Sequence, residues 1–258
     1  MGHLRVTIAA LVAVALASCQ FFGSSDASIV SFSLDGITVD ASIDPDARTV
    51  VVSAPPVDLS KIPATIAVST GAELEAIPTF VDGVPTTVTV IAEDGTEVTW
   101  TVTVNLQLGV SFKLDGEWVF YLHGVTDSSS DEAAEDWGNG APHASVVTGE
   151  GSTLVFFATT ELIDFVADSA LPDFIQLWID GTTVGTYADG TAYGDLRVSD
   201  DYWWTNEGTA VLERIDTVGG TVVVRFAFDL VNDSDQSATV ADGFAKLLRI
   251  IDDQTLQF

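Results

Sequence analysis

Aromatic side chains concentrate in one short run, Tyr202-Trp203-Trp204, which follows two acidic residues. If the run lies on a β-strand, Tyr202 and Trp204 point to one face of the sheet and Trp203 points to the other. A flat indole ring can stack on the apolar face of a sugar ring, and carboxylates such as Asp201 can bond the sugar hydroxyls. Because exposed aromatic patches usually have a binding role, the run predicts a ligand-binding surface on one face. The alternative is that these rings pack the core of a sandwich and its rim.

A second candidate for ligand binding, Trp137, lies in the acidic loop DSSSDEAAEDWGNG at residues 127–140. A tryptophan in a loop has less core to enter, so it is either a binding residue or folded back onto its domain. The carboxylates of the loop could supply oxygen ligands to Ca²⁺. Their spacing does not match an EF-hand, since no glycine follows at the required position. Calcium binding and an acidic surface loop without a ligand both stay open, and no metal site is assigned.

No arrangement of residues predicts catalysis. His123 and His143 are too few for a zinc site of three or four ligands, and the chain has a single cysteine, Cys19. The G-x-S-x-G motif of serine hydrolases and glycine-rich phosphate loops are both absent from the sequence. Two carboxylates would suffice for glycoside hydrolysis, but with 38 acidic residues the sequence cannot test that alternative. We therefore expect a non-catalytic protein without a cofactor.

Cys19 ends a segment typical of export. A short start containing Arg5 precedes an apolar stretch over residues 6–17, too short to span a bilayer as a helix. The end of this stretch and the next two residues, Leu16-Ala17-Ser18-Cys19, resemble the bacterial lipobox. This resemblance implies cleavage before Cys19 and a lipid on its sulfur, which would anchor the protein to a membrane. Gln20 follows the cysteine and is compatible with sorting to the outer membrane or the cell surface.

The charge of the chain limits its partners. The sequence has 9 basic and 38 acidic residues, a net charge of −29. So negative an electrostatic field disfavours the binding of nucleic acid and anionic lipid, and it favours the binding of neutral ligands or cations. A solvated acidic surface, common in proteins from salty environments, is the simpler interpretation. With one cysteine, no intramolecular disulfide can form, so core packing must stabilise the fold.

Apolar and polar residues alternate with a period of two from residue 29 onward, which predicts β-strands throughout. In the first block we expect strands at residues 29–34, 37–43, 49–53, 65–69, 86–92 and 98–104. Val98, Trp100, Val102 and Val104 share one face of the last strand. Asp35-Gly36 and Asp94-Gly95 predict tight hairpins.

This block resembles the Ig-like repeats near the N-terminus of many bacterial surface lipoproteins. The resemblance rests on the turn Val81-Asp82-Gly83-Val84-Pro85 and on Asp94-Gly95-Thr96 leading into the strand Thr99–Val104. It covers residues 28–105 and implies an Ig-like sandwich that serves as a stalk. It brings no catalytic residue.

The second block begins near Leu108, with hairpins expected at Asp115-Gly116, Asp180-Gly181 and Gly219-Gly220. Further strands are expected at residues 144–147, 153–158, 174–179, 182–187, 202–205, 209–215, 222–230 and 244–250. The patterns Asp115-Gly116-x-Trp118 and Gly208-Thr209-Ala210-Val211 resemble an uncharacterised β-domain of lipoproteins from Bacteroidota-like bacteria. Residues 160–169 could form a short helix, and residues 244–251 also fit helical spacing, although a final strand is preferred there.

Together these patterns predict an all-β protein of two antiparallel sandwiches. The expected organisation is a signal peptide (1–18), a lipidated tether (19–27), an Ig-like sandwich (28–105) and a larger sandwich (106–258). The expected function is that of a lipid-anchored binding module of the cell envelope, with a glycan as its ligand at Trp137, Tyr202, Trp203 and Trp204. A structural or assembly partner of envelope proteins, using an exposed edge strand, is the main alternative. A glycoside-acting enzyme is the third.

Overall fold

A computed structural model of the chain describes residues 23–122, 143–148, 152–159, 174–188, 190–198 and 201–252. Every regular element in these ranges is a β-strand. The strands form three sheets in which nearly all neighbours are antiparallel. The prediction of an all-β protein built from antiparallel sandwiches is therefore confirmed. Among the described residues there is no helix of the length and hydropathy needed to cross a membrane.

Seven strands make up the N-terminal sandwich. They are β1 (Ile29–Leu34), β2 (Asp40–Asp44), β3 (Thr49–Ala54), β4 (Ala64–Val68), β5 (Glu73–Leu74), β6 (Thr86–Ile91) and β7 (Glu97–Leu106). Strands β1 and β4 form one sheet, and the other has the order β2-β3-β7-β6-β5. Strands β3 and β7 are parallel, while the remaining pairs are antiparallel.

The core of this sandwich follows the alternation predicted for β7. Trp100, Val102 and Val104 are buried, while the threonines between them lie toward the outside. The indole Nε1 of Trp100 donates a hydrogen bond of 2.9 Å to the backbone oxygen of Ala27. This bond satisfies the one polar atom of the ring, so the large apolar surface is buried without an unpaired donor.

Ten strands make up the C-terminal sandwich. They are β8 (Gly109–Leu114), β9 (Glu117–Leu122), β10 (His143–Thr148), β11 (Ser152–Thr159), β12 (Phe174–Ile179), β13 (Gly185–Tyr187), β14 (Ala192–Val198), β15 (Asp201–Ile215), β16 (Thr221–Asn232) and β17 (Ser237–Asp252). The order is β10-β11-β12-β14-β15-β16-β17-β8-β9, and β13 pairs with β15. Strand β10 also pairs in parallel with the end of β17, which closes the sheet on itself. Apolar residues from β8 to β17 consequently meet in one core, represented by Phe112, Leu177, Leu212 and Leu247.

Several local predictions were wrong. The Asp180-Gly181 hairpin does not form, because β12 pairs with β14 at that end and β13 pairs with β15. The Asp35-Gly36 turn closes only one bridge, Leu34 to Ile37, and β1 pairs with β4. Strand β14 lies where no strand was predicted.

Other local predictions were confirmed. The turns at Asp94-Gly95, Asp115-Gly116 and Gly219-Gly220 join the antiparallel pairs β6–β7, β8–β9 and β15–β16. Residues 244–251 belong to a strand, as preferred, and not to a helix. The helix considered for residues 160–169 lies outside the described residues.

Contacts between the two sandwiches combine apolar packing with ion pairs. Phe244 of β17 packs into the N-terminal core, and Trp118, Phe120 and Val223 pack against the same cluster. Arg225 Nε lies 2.9 Å from the buried carboxylate of Asp58. This contact is an ion pair and not an aligned hydrogen bond, since Nε has no hydrogen-bond partner.

Candidate functional site

In three neighbouring strands, β12, β14 and β15, successive side chains alternate between the core side and the outer side of the sheet. Toward the core they place mostly aliphatic residues, of which Leu177 and Leu196 are fully buried. The positions between these carry aromatic and polar residues on the outer side of the sheet. Four aromatic residues at these outward positions form what we call the aromatic face: Trp178, Tyr193, Tyr202 and Trp204.

The aromatic face consists of two ring pairs. Trp178 and Tyr193 are opposite each other on β12 and β14, with ring centroids 5.7 Å apart and planes inclined by 25°. Tyr202 and Trp204 are two residues apart on β15, with centroids 6.4 Å apart and planes inclined by 35°. Tyr193 and Tyr202 keep 41% and 43% of their surface exposed. The tyrosine of each pair is therefore open to solvent, while Trp178 and Trp204 are half-buried beside it.

Asp195 on β14 lies between the two pairs. It is opposite Gln176 on β12 and opposite Trp204 on β15. The Tyr202 side chain lies close enough to Asp195 for each to affect the pKa of the other. Burial raises the pKa of Asp195, and the Tyr202 hydroxyl opposes that rise. Burial, with the nearby carboxylate, also raises the pKa of Tyr202 from 10.0, so its phenol stays protonated at neutral pH and can donate.

A second carboxylate, Asp180, accompanies the other pair. Burial raises the pKa of the Tyr193 phenol, and the charge of Asp180 and a hydrogen bond to it raise the pKa further. Each ring pair thus combines a tryptophan, a tyrosine hydroxyl and a carboxylate. A sugar offers the matching groups, because its ring faces are apolar C–H surfaces and its edge carries hydroxyls.

The alternation predicted for residues 202–204 is confirmed, and it separates the three residues. Trp203 is opposite Leu196 on the core side and packs against the C-terminal core. Trp203 is therefore not part of the aromatic face. Tyr202 and Trp204 share one side, as expected, and the structure shows that this side is the outer one.

Sequence reasoning missed Trp178 and Tyr193. Trp178 lay in a predicted strand, at the phase opposite to Ile175, Leu177 and Ile179, and that phase alone could have placed it on the outside. Tyr193 lay in a segment where no strand was expected. No signal in one sequence shows that these two residues are neighbours, since their contact depends on the pairing of β12 with β14.

Other predicted sites cannot be placed. Cys19, Trp137, His123 and the acidic loop at 127–140 lie outside the described residues. Within the described ranges, no group of three or more His, Cys, Asp or Glu side chains is arranged to hold a metal ion.

Two concave regions lie elsewhere on the described surface. A cleft of about 340 Å³ between the sandwiches has Phe80, Leu106 and Phe244 in its floor. The Asp58–Arg225 ion pair and a contact between Arg225 and Glu213 lie beside this floor, so its charged groups already bind each other. A shallower region of about 300 Å³ lies over β15, β16 and β17.

No protein-family model matches the chain, and no curated protein matches it.

Proposed function

We propose that the protein is a lipid-anchored, non-catalytic binding module of the cell envelope, and that its aromatic face binds a neutral glycan. The observation that carries this proposal is the outward placement of two aromatic pairs, each with a tyrosine hydroxyl and a carboxylate. Tryptophan and tyrosine provide apolar surface together with a polar edge, and neither needs to move far to meet a ligand.

Charge favours a neutral ligand. The net charge of −29 opposes the approach of an acidic polysaccharide, and in the site itself the carboxylates of Asp180 and Asp195 outnumber the guanidinium of Arg197, which lies opposite Tyr202. Carboxylates accept hydrogen bonds from hydroxyls, so they suit the uncharged hydroxyl groups of a neutral sugar. Tyrosine and tryptophan are also frequent in protein interfaces, and a protein partner is the competing outcome of the test.

Anchoring completes the proposal. The lipobox at Leu16-Ala17-Ser18-Cys19 would attach the chain by lipid on Cys19 to the outer membrane or cell surface. The N-terminal sandwich would then act as an Ig-like stalk, with the glycan-binding sandwich beyond it. Cys19→Ser should abolish incorporation of a labelled fatty acid and release the protein from the membrane fraction. Unchanged labelling would exclude the anchor.

Binding can be tested with the full chain against a panel of neutral polysaccharides in affinity gels, where a bound polysaccharide retards the protein. Trp204→Ala should strongly reduce the retardation, because truncation removes the larger ring of one pair. The matched control is Val218→Ala, an apolar residue 50% exposed in the β15–β16 turn, which should leave the retardation unchanged. Retardation by no polysaccharide, or equal loss in both variants, would contradict glycan binding. Capture of an envelope protein that Trp204→Ala abolishes would instead favour the protein partner.

A further inference from the structure

The two ring pairs of the aromatic face have the same chemical composition. One unit contains Trp178, Tyr193 and Asp180, and the other contains Trp204, Tyr202 and Asp195. In each unit a tyrosine ring packs against an indole ring, and a carboxylate lies close enough to raise the pKa of the tyrosine hydroxyl. Because either unit offers all the groups that one sugar residue needs, the pair resembles two subsites more than one enlarged site.

The register of the strands fixes the separation of the two units. Tyr193 and Asp195 are two residues apart on β14, and Trp204 is opposite Asp195 on β15. The centres of the two pairs are about three residues apart along the strands, which rise about 3.4 Å per residue. They are also about one and a half strands apart across the sheet, where neighbouring strands are about 4.8 Å apart, so the distance between them along the diagonal is roughly 12 Å. A pyranose ring is similar in size to a phenol ring and covers only one pair. A ligand in contact with both units must therefore contain several linked sugars.

Polar side chains lie on this diagonal and beside it. Asp195 is nearly midway between the pairs, and Gln176 is beside it on β12. Gln176 is only partly buried and carries both a donor and an acceptor. Hydroxyls of a sugar between the two subsites would meet these groups, so an extended chain would find partners along its length.

We propose that the ligand is a neutral oligosaccharide or polysaccharide chain lying diagonally across β12, β14 and β15, with one sugar on each ring pair. This inference rests on the proposed glycan-binding function and specifies the length and direction of the ligand. It also assigns Gln176 to the recognition of the sugar between the subsites.

Chain length tests the proposal directly. Calorimetry with the full chain would use the cello-, malto-, laminari- and xylo-oligosaccharide series from monosaccharide to hexasaccharide. In the series that binds, affinity should rise steeply until the ligand covers both pairs and then level off. The loss of either tryptophan by Trp178→Ala or Trp204→Ala should weaken hexasaccharide binding roughly ten-fold, since stacking on one aromatic side chain contributes roughly 1–3 kcal/mol. Both variants should bind the hexasaccharide no better than the native chain binds short oligosaccharides.

The outcomes separate the two proposals. If the monosaccharide binds as tightly as the hexasaccharide, or if only one of the two tryptophans matters, the extended ligand is excluded while glycan binding stands. If no saccharide of any series or polysaccharide binds, both proposals fail. Circular dichroism of each variant distinguishes lost binding from lost folding.

Discussion

At the scale of single residues, the phase of a strand decides whether a tryptophan packs in the core or faces outward. Trp203 and Trp204 are adjacent in sequence, yet the first packs against the core and the second lies on the aromatic face. Trp100 illustrates the fully buried case, with its indole nitrogen bonded to a backbone oxygen. Tryptophan content alone therefore did not identify the residues of the aromatic face.

The contact between Tyr202 and Asp195 leads to a prediction at this scale. Tyr202→Phe removes the hydroxyl that stabilises the carboxylate, while burial still disfavours its charged form. We expect the pKa of Asp195, already raised, to rise further. Carbon-detected NMR titration of the side-chain carboxyls would measure the change, with Tyr187→Phe as the control, because that hydroxyl bonds Thr183 and not a carboxylate. An unchanged or lower pKa of Asp195 would show that the Tyr202 hydroxyl does not stabilise its charge.

At the scale of elements, β14 shows where local propensity fails. Its sequence AYGDLRV contains glycine and aspartate, which are both depleted in strands. The strand forms because neighbours on both sides supply hydrogen bonds and because Leu196 is buried in the core. Gly194 has a packing role there, since a Cβ atom at this position would lie 2.7 Å from the backbone oxygen of Gln176.

Gly194→Ala should accordingly destabilise the C-terminal sandwich. The added methyl group meets backbone, which cannot move without disturbing the β12–β14 pairing. We expect the free energy of unfolding to fall by about 1–3 kcal/mol, as for overpacked cores. Urea denaturation would measure it, with Gly185→Ala as the control. At Gly185 an added Cβ has no neighbour nearer than 3.9 Å, so the change should be within about 0.5 kcal/mol. Equal effects of the two substitutions would show that the close approach at Gly194 is unimportant.

Strand β15 is a second case at this scale. The sequence predicted two strands, at 202–205 and 209–215, with Asn206, Glu207 and Gly208 between them. The structure has one strand, Asp201–Ile215, with a shift of register between Thr205 and Glu207. A β-bulge can accommodate an extra residue without ending a strand. This continuity links the aromatic face to the long β15–β16 pairing.

At the scale of the whole molecule, the few lysines of an acidic chain lie close to the junction of the two sandwiches. Lys61, Lys113 and Lys246 are the only lysines in the sequence. Asp242 on β17 accepts bonds of 3.1 Å from both Lys61 and Lys113. Lys246 pairs with Asp82 at 2.6 Å and donates to the backbone oxygen of Leu106. Lys61 and Lys246 thus each connect the two sandwiches through an ion pair.

Acid should weaken this junction. Hydrogen bonds from Lys113 and then Lys61 lower the pKa of Asp242 below its ordinary value of 3.8. A lowered carboxyl pKa contributes stability above the ordinary value, and that contribution is lost as the pH falls through the lowered value. Asp242→Asn should therefore cost about 1 kcal/mol or less at neutral pH, because the ion pairs are partly exposed. In strong acid the difference from the native chain should vanish.

Urea denaturation across this pH range would measure the effect. Asparagine suits the test, because Asp242 has a positive φ of 51° and asparagine tolerates that conformation. Asp235→Asn is the matched control, with a φ of 57° and an exposed side chain that pairs with none of the three lysines. A difference between Asp242→Asn and the native chain that persists in strong acid would exclude the charge of Asp242 as its origin.

The sequence alone determined the all-β class, the phase of most strands and the placement of Tyr202 and Trp204 on one face, opposite Trp203. These properties depend on alternation, which is local because successive side chains point to opposite faces. It also identified three of the tight turns that join neighbouring strands, where positive φ values favour glycine.

Only the tertiary structure decided which strands are neighbours. The pairing of β12 with β14 brought Trp178 beside Tyr193, and the parallel pairing of β10 with β17 closed the second sheet. The pairing of Lys61 with Asp242, 181 residues apart in sequence, likewise arises only where the sandwiches meet. Such contacts depend on the simultaneous burial of many apolar faces and the pairing of their backbones, and no local pattern encodes that choice.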